Sequence, residues 1–95
     1  MDKVEAKAIL RSELAKYRDW TYSQLRELIG APKRAFPVTG RSGAEYQIDI
    51  QAFWDSDVGG DVRVMACIDD GGWRAFLPLS DSFIKGPDGS FVGER

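Results

Sequence analysis

The chain has 95 residues with no histidine, one cysteine (Cys67) and four prolines. Without histidine, no side chain of ordinary pKa exchanges a proton near neutral pH, so acid–base catalysis would fall to a buried carboxylate or lysine. A single cysteine excludes an internal disulfide. No apolar run reaches membrane-spanning length and no apolar signal region stands at the N-terminus, so the expectation is a soluble cytoplasmic protein with no membrane role. Charge of one sign is not in excess either, with 13 basic and 15 acidic residues leaving −2. The halves differ, however: nine basic against five acidic residues up to Ala44, and four against ten from Glu45 onward. A basic half could meet an acidic partner, but charges alternating along a helix ordinarily form a solvated face.

What the chain does have is alternation. Glu45-Tyr-Gln-Ile-Asp-Ile-Gln-Ala-Phe-Trp54, Asp61-Val-Arg-Val-Met-Ala-Cys-Ile-Asp69 and Trp73-Arg-Ala-Phe-Leu77 place an apolar residue at every second position, the period of antiparallel strands with one buried face. Strands are predicted over about 45–54, 61–69 and 73–79. A two-residue turn at Asp70-Gly71 suits a type I′ hairpin and would set Ile68 opposite Trp73, Ala66 opposite Ala75 and Val64 opposite Leu77. A turn at Gly71-Gly72 keeps the same parity. If the loop from Asp55 to Asp61 closes with Trp54 opposite Val62, then Phe53 faces Arg63 and Gln51 faces Met65. One face then carries Tyr46, Ile48, Ile50, Val62, Val64, Trp73 and Ala75, and a slip of one residue would invert it.

Two helices can cover that face. The first is predicted over about 3–17, with Ala6, Ile9, Leu10, Leu14 and Tyr17 recurring at steps of three and four. The second spans about 22–29: Thr21 stands at the N-cap, Gln24 completes a capping box, and Trp20 is placed to staple onto Leu25. Gly30 and Pro32 end it. Proline and glycine then punctuate the chain up to Ala44, with a short edge strand over 35–38. Pro78 marks another edge or strand end. Gly86-Pro87-Asp88-Gly89 has turn chemistry, so 83–92 is predicted as a C-terminal hairpin, with a single helical turn around Asp81 to Lys85 as the rival. The fold class is thus α+β in one domain over 1–95: an N-terminal helical hairpin on one face of an antiparallel β-meander, two layers deep.

The order helix, helix, Gly-x-Pro break and antiparallel meander resembles the small modules of the BamE/SmpA outer-membrane assembly lipoproteins and of the β-lactamase-inhibitor proteins. Leu25-Arg-Glu-Leu-Ile-Gly-Ala-Pro32 is similar to the helix end of those modules, and the strands are similar in arrangement only. Cys67, in mid-strand, is not placed as a lipid-bearing cysteine. The stretches Ile68 to Trp73 and Asp88 to Glu94 also resemble those of small bacterial proteins. The resemblance implies topology across most of the chain and no specific motif.

Candidate chemistry is sparse. Asp55, Asp57 and Asp61 sit in a glycine-containing loop of the kind that binds calcium, yet the fifth position is Gly59 and the twelfth Ala66, where an EF-hand needs oxygen ligands. Turn formation accounts for the same residues, so no metal and no cofactor is expected. A carboxylate enzyme would need side chains converging on one substrate, for example Asp49 and Asp69 on neighbouring strands. Cys67, between Ala66 and Ile68, reads as a semi-buried hydrophobe. Lys33, Arg34 and Arg41 around Phe36, with Arg63 and Arg74 beside Phe53 and Phe76, interleave bases and aromatics as nucleic-acid binders do. The acidic residues Glu45, Asp49 and Asp69 on the same face oppose a phosphate backbone. The Gly40-Arg-Ser-Gly43 loop lacks the following helix that a phosphate cradle needs.

The second sheet face remains. Phe53, Arg63, Met65, Arg74 and Phe76 share it, a mixture enriched where proteins meet proteins. Either a partner contacts it, another protein or a second copy of the chain, or the C-terminal segment with Phe83, Phe91 and Val92 folds back over it. The functional expectation is a non-catalytic protein-interaction module of inhibitor, immunity or adaptor type. The alternatives are a small-ligand-binding protein or carboxylate enzyme, and a nucleic-acid-binding accessory protein. A deep pocket with convergent polar groups would favour the first alternative.

Overall fold

The computed structural model describes residues 2–71 and 78–94. Its first helix, α1 (Lys3–Arg18), begins where Asp2 accepts a hydrogen bond from the Glu5 N–H at 3.1 Å. This satisfies one of the donors that every helix start leaves without a partner. The second, α2 (Tyr22–Glu27), opens on a reciprocal cap: Thr21 Oγ1 accepts from Gln24 N, and Gln24 Oε1 accepts from Thr21 N. It stops at Glu27 rather than Ile29. Leu28 and Ile29 continue in tighter turns, their N–H groups bonding three residues back, and Gly30 turns the chain at φ +80°.

Four antiparallel strands follow in the order β1 (Arg34–Thr39), β2 (Glu45–Trp54), β3 (Val62–Asp69) and β4 (Leu79–Lys85). The register between β2 and β3 is the predicted one, with Trp54 opposite Val62, Phe53 opposite Arg63 and Gln51 opposite Met65. Parity therefore falls as alternation demands: Tyr46, Ile48, Ile50, Val62, Val64, Ala66 and Ile68 are buried. Ala6, Leu10, Leu14 and Tyr17 of α1 and Leu25 of α2 join them in one core. At about 25 cal/mol per Å² of apolar surface removed from water, this face is the main source of stability.

The strand beyond β3 corrects the expected hairpin. Leu79 lies opposite Ile68, Asp81 opposite Ala66 and Phe83 opposite Val64, positions assigned from sequence to Trp73, Ala75 and Leu77. Those three residues, with Arg74 and Phe76, lie outside the described residues. Leu79–Lys85 has the same parity, so the apolar face is kept while its occupant changes: Phe83, 4% exposed, closes the core. The helical turn around Asp81 is replaced by this strand.

Two turns share one construction. In Gly40-Arg-Ser-Gly-Ala44 and Gly86-Pro-Asp-Gly-Ser90 the first N–H donates to the fifth carbonyl, and the fourth N–H to the first. Gly43 and Gly89, at φ +88° and +85°, occupy the left-handed position this loop requires. The second turn returns Phe91 beside Lys85 and lets Val92 N–H reach the Ile84 carbonyl, so the predicted C-terminal hairpin forms as a short bridge on the free edge of β4. Phe91 packs edge-on against Phe83 at 5.8 Å, on the helix side of the sheet. The C-terminal segment does not fold across the other face.

Candidate functional site

The sheet face opposite the helices holds the residues singled out from sequence, as far as they are described. Phe53 is 37% exposed. Arg63, Met65 and Cys67 are half-buried in the next strand, and Ile84 stands opposite Arg63 in β4. Phe53, Arg63 and Ile84 thus form one cross-strand row, and Gln51, Met65 and Ser82 the row beside it. The Arg63 guanidinium is held in that row by Asp55 at 2.8 Å and by the Ser82 hydroxyl at 2.8 Å. It presents a flat, oriented charge rather than a mobile one.

The loop aspartates do not gather. Asp55 is committed to Arg63, Asp57 helps form a tight turn whose carbonyl accepts from Gly60 N–H, and Asp61 closes the loop by accepting from Asp55 N–H. Among the described residues no group of three histidine, cysteine, aspartate or glutamate side chains could hold a metal ion. The carboxylate pair is also divided: Asp49 pairs with Lys33 at 3.4 Å, whereas Asp69 accepts from Gly71 N–H at 2.8 Å in a turn of its own. Cys67 lies opposite Asp49, and burial, reinforced by that carboxylate, pushes its thiol above the ordinary range. A thiol raised in this way is less nucleophilic at neutral pH.

The basic residues divide between faces. Arg34 lies on the helix side, its guanidinium 5.4 Å from the Trp20 ring and 6.0 Å from that of Tyr17. Lys33 and Arg63 stay on the outer side, each paired with an aspartate. No continuous basic track runs among the described residues of either face.

Three polar clusters were missed by reading the sequence. Glu5 of α1 accepts from Ser42 N at 3.0 Å, Ser42 Oγ at 2.7 Å and Tyr46 Oη at 2.7 Å, tying the helix start to the β1–β2 turn. The Ser42 hydroxyl, then Tyr46 and the Ser42 N–H, hold the Glu5 carboxyl below its usual range. That carboxylate in turn pushes the Tyr46 phenol up to about 12. Lys85, only 8% exposed, donates to the carbonyls of Arg18 at 3.0 Å and Trp20 at 2.7 Å, putting a cation at the negative end of α1. Arg18 completes the set: its guanidinium lies 3.9 Å from the Phe91 ring and grips Glu94 through two bonds of 3.0 and 2.6 Å. No local signal marks these pairs.

No known protein family, curated protein or solved structure matches this chain.

Proposed function

We propose that the protein is a non-catalytic binding module whose outer sheet face contacts another protein. One observation carries this reading: among the described residues nothing covers that face, because the C-terminal hairpin packs beside β4 on the helix side instead. Phe53, exposed at the β2 end of the row that runs through Arg63 to Ile84, supplies the kind of anchor that carries most of the affinity in an interface. Met65, diagonal to it on β3, and Ile84, beyond Arg63 on β4, extend the face with further apolar contacts.

The reading is tested with tagged wild-type and Phe53→Glu proteins used to capture partners from native cell extract, read by mass spectrometry. Size-exclusion at rising protein concentration detects a second copy as partner. A retained protein, or a self-association, that is lost by a Phe53→Glu protein with unchanged circular dichroism supports the proposal. Identical captures and identical elution by the two proteins would overturn it.

A further inference from the structure

A four-stranded sheet is about 14 Å across at 4.8 Å per strand, and helices pack 8–10 Å apart, so such a sheet accommodates two helices side by side. Here α1 contacts β3 and β4, and α2, with six residues, contacts β2 and β3. The helix-side residues of β1 are accordingly less enclosed than those of β2: Phe36 and Val38 are half-buried, whereas Ile48 and Ile50 are buried. Between the N-terminal half of α1 and β1 lies a groove of about 630 Å³. Val4, Ala8, Ile9 and Val38 give it an apolar lining, and Val4 is 82% exposed.

The charge on its margin is unbalanced. Asp2, Glu5 and Glu13 line the groove with one cation, Arg41. Glu5 keeps its full charge, because its partners Ser42 and Tyr46 are neutral. Lys16, bonded to Glu13 at 2.9 Å, and the roughly half-unit positive charge of the helix start still leave the balance negative. From Val4 to Glu13 the groove follows α1 for about 14 Å at 1.5 Å per residue, some two and a half helical turns. Strand addition at this edge is impeded: with Gly40 and Ala44 bonded as a pair, alternation puts Pro37, which has no N–H, in the outward row of β1.

We propose that this groove takes a short amphipathic helix of a partner protein, apolar on the face it buries and basic along its flanks, which completes the helical layer over β1. The site lies on the opposite side of the sheet from Phe53 and uses none of the same residues, so it stands or falls separately from the outer-face reading.

The probe is an acetylated and amidated peptide of about 14 residues, a length at which an isolated helix is marginal and is completed on binding, with leucine at spacings of three and four and lysine elsewhere. A twin carries glutamate for every lysine. Amide chemical shifts are followed by NMR in the full chain. The lysine peptide is expected to move Val4, Ala8, Ile9 and Val38, to bind about ten-fold more tightly than its twin, and to weaken with added salt. Ala8 is exposed, so Ala8→Arg should fold normally and lose the binding. Val4→Lys, at a position 82% exposed, is the second variant: it removes the apolar contact and adds a repelling charge, and should weaken binding. Equal binding of the two peptides, shifts confined to Phe53 and Met65, or undiminished binding by the folded variants would each overturn the proposal.

Discussion

Single side chains reach across the molecule to hold it. Lys85 is a buried cation whose two carbonyl partners belong to the end of α1. Lys85→Met keeps the aliphatic length and removes the donor, so it should lower unfolding free energy by about 1–3 kcal/mol, measured by urea titration. Glu5 gives a pH signature. Its carboxyl lies below the usual range in the folded state, so the stability it contributes is present above its unfolded pKa of 4.5 and is lost as pH falls through the folded value. Tyr46 has the opposite sign: raised from 10.0 to about 12, it contributes stability fully below pH 10 and loses it as pH rises through 12. The wild-type advantage over Glu5→Gln should therefore shrink at the acid end, and that over Tyr46→Phe at the alkaline end. A Cβ at Gly40 would meet the Glu5 carboxylate, so Gly40→Ala should displace that side chain, lose its stability near neutral pH and, like Glu5→Gln, differ least from wild type at the acid end. Urea titrations across the pH range check all three, and parallel curves for wild type and Glu5→Gln would contradict the linkage.

Elements were legible where their signals are local. The capping box of α2 spans four residues, Thr21 to Gln24, and both of its hydrogen bonds form. Thr21→Ala should accordingly cost about 1 kcal/mol, read from the urea midpoint at unchanged slope. The β2–β3 register was also readable, because both strands alternate without interruption around one short loop. The next strand was misplaced for a physical reason: Trp73–Leu77 alternates cleanly, whereas Leu79–Lys85 puts Asp81 and Lys85 on the inward parity and Ile84 outward, so a period of two favours the first window. The compensation of the buried Lys85 lies at a helix end 65 residues away, where no local signal shows it. Distance hid the Glu5–Tyr46 pair in the same way, across 41 residues. On the outer face, alternation placed Phe53, Arg63 and Met65 together, but it carried no information about the tail. That depended on which side of β4 the last turn would release Phe91.

At the scale of the whole molecule, two phenylalanines separate the faces by what they are worth to folding. Phe91 rests against Phe83, the Arg18 guanidinium and the Lys85 ammonium, the last at 5.0 Å from its ring. It is half-buried, so Phe91→Ala should cost about 1–3 kcal/mol, less than a fully enclosed phenylalanine. Loss of the ring also frees Arg18 and Glu94 from their shared geometry, and hydrogen exchange at Val92, whose N–H bonds to Ile84, should quicken with it. Phe53 stands on the other side with more than a third of its surface in water. It lies outside the core cluster, so Phe53→Ala should cost about 0.5–1.5 kcal/mol, less than Phe91→Ala. Urea unfolding of the two variants side by side tests which face the tail covers. A large loss from Phe53→Ala with little from Phe91→Ala would mean that the outer face is core and the tail dispensable, which would remove the basis for an interface there.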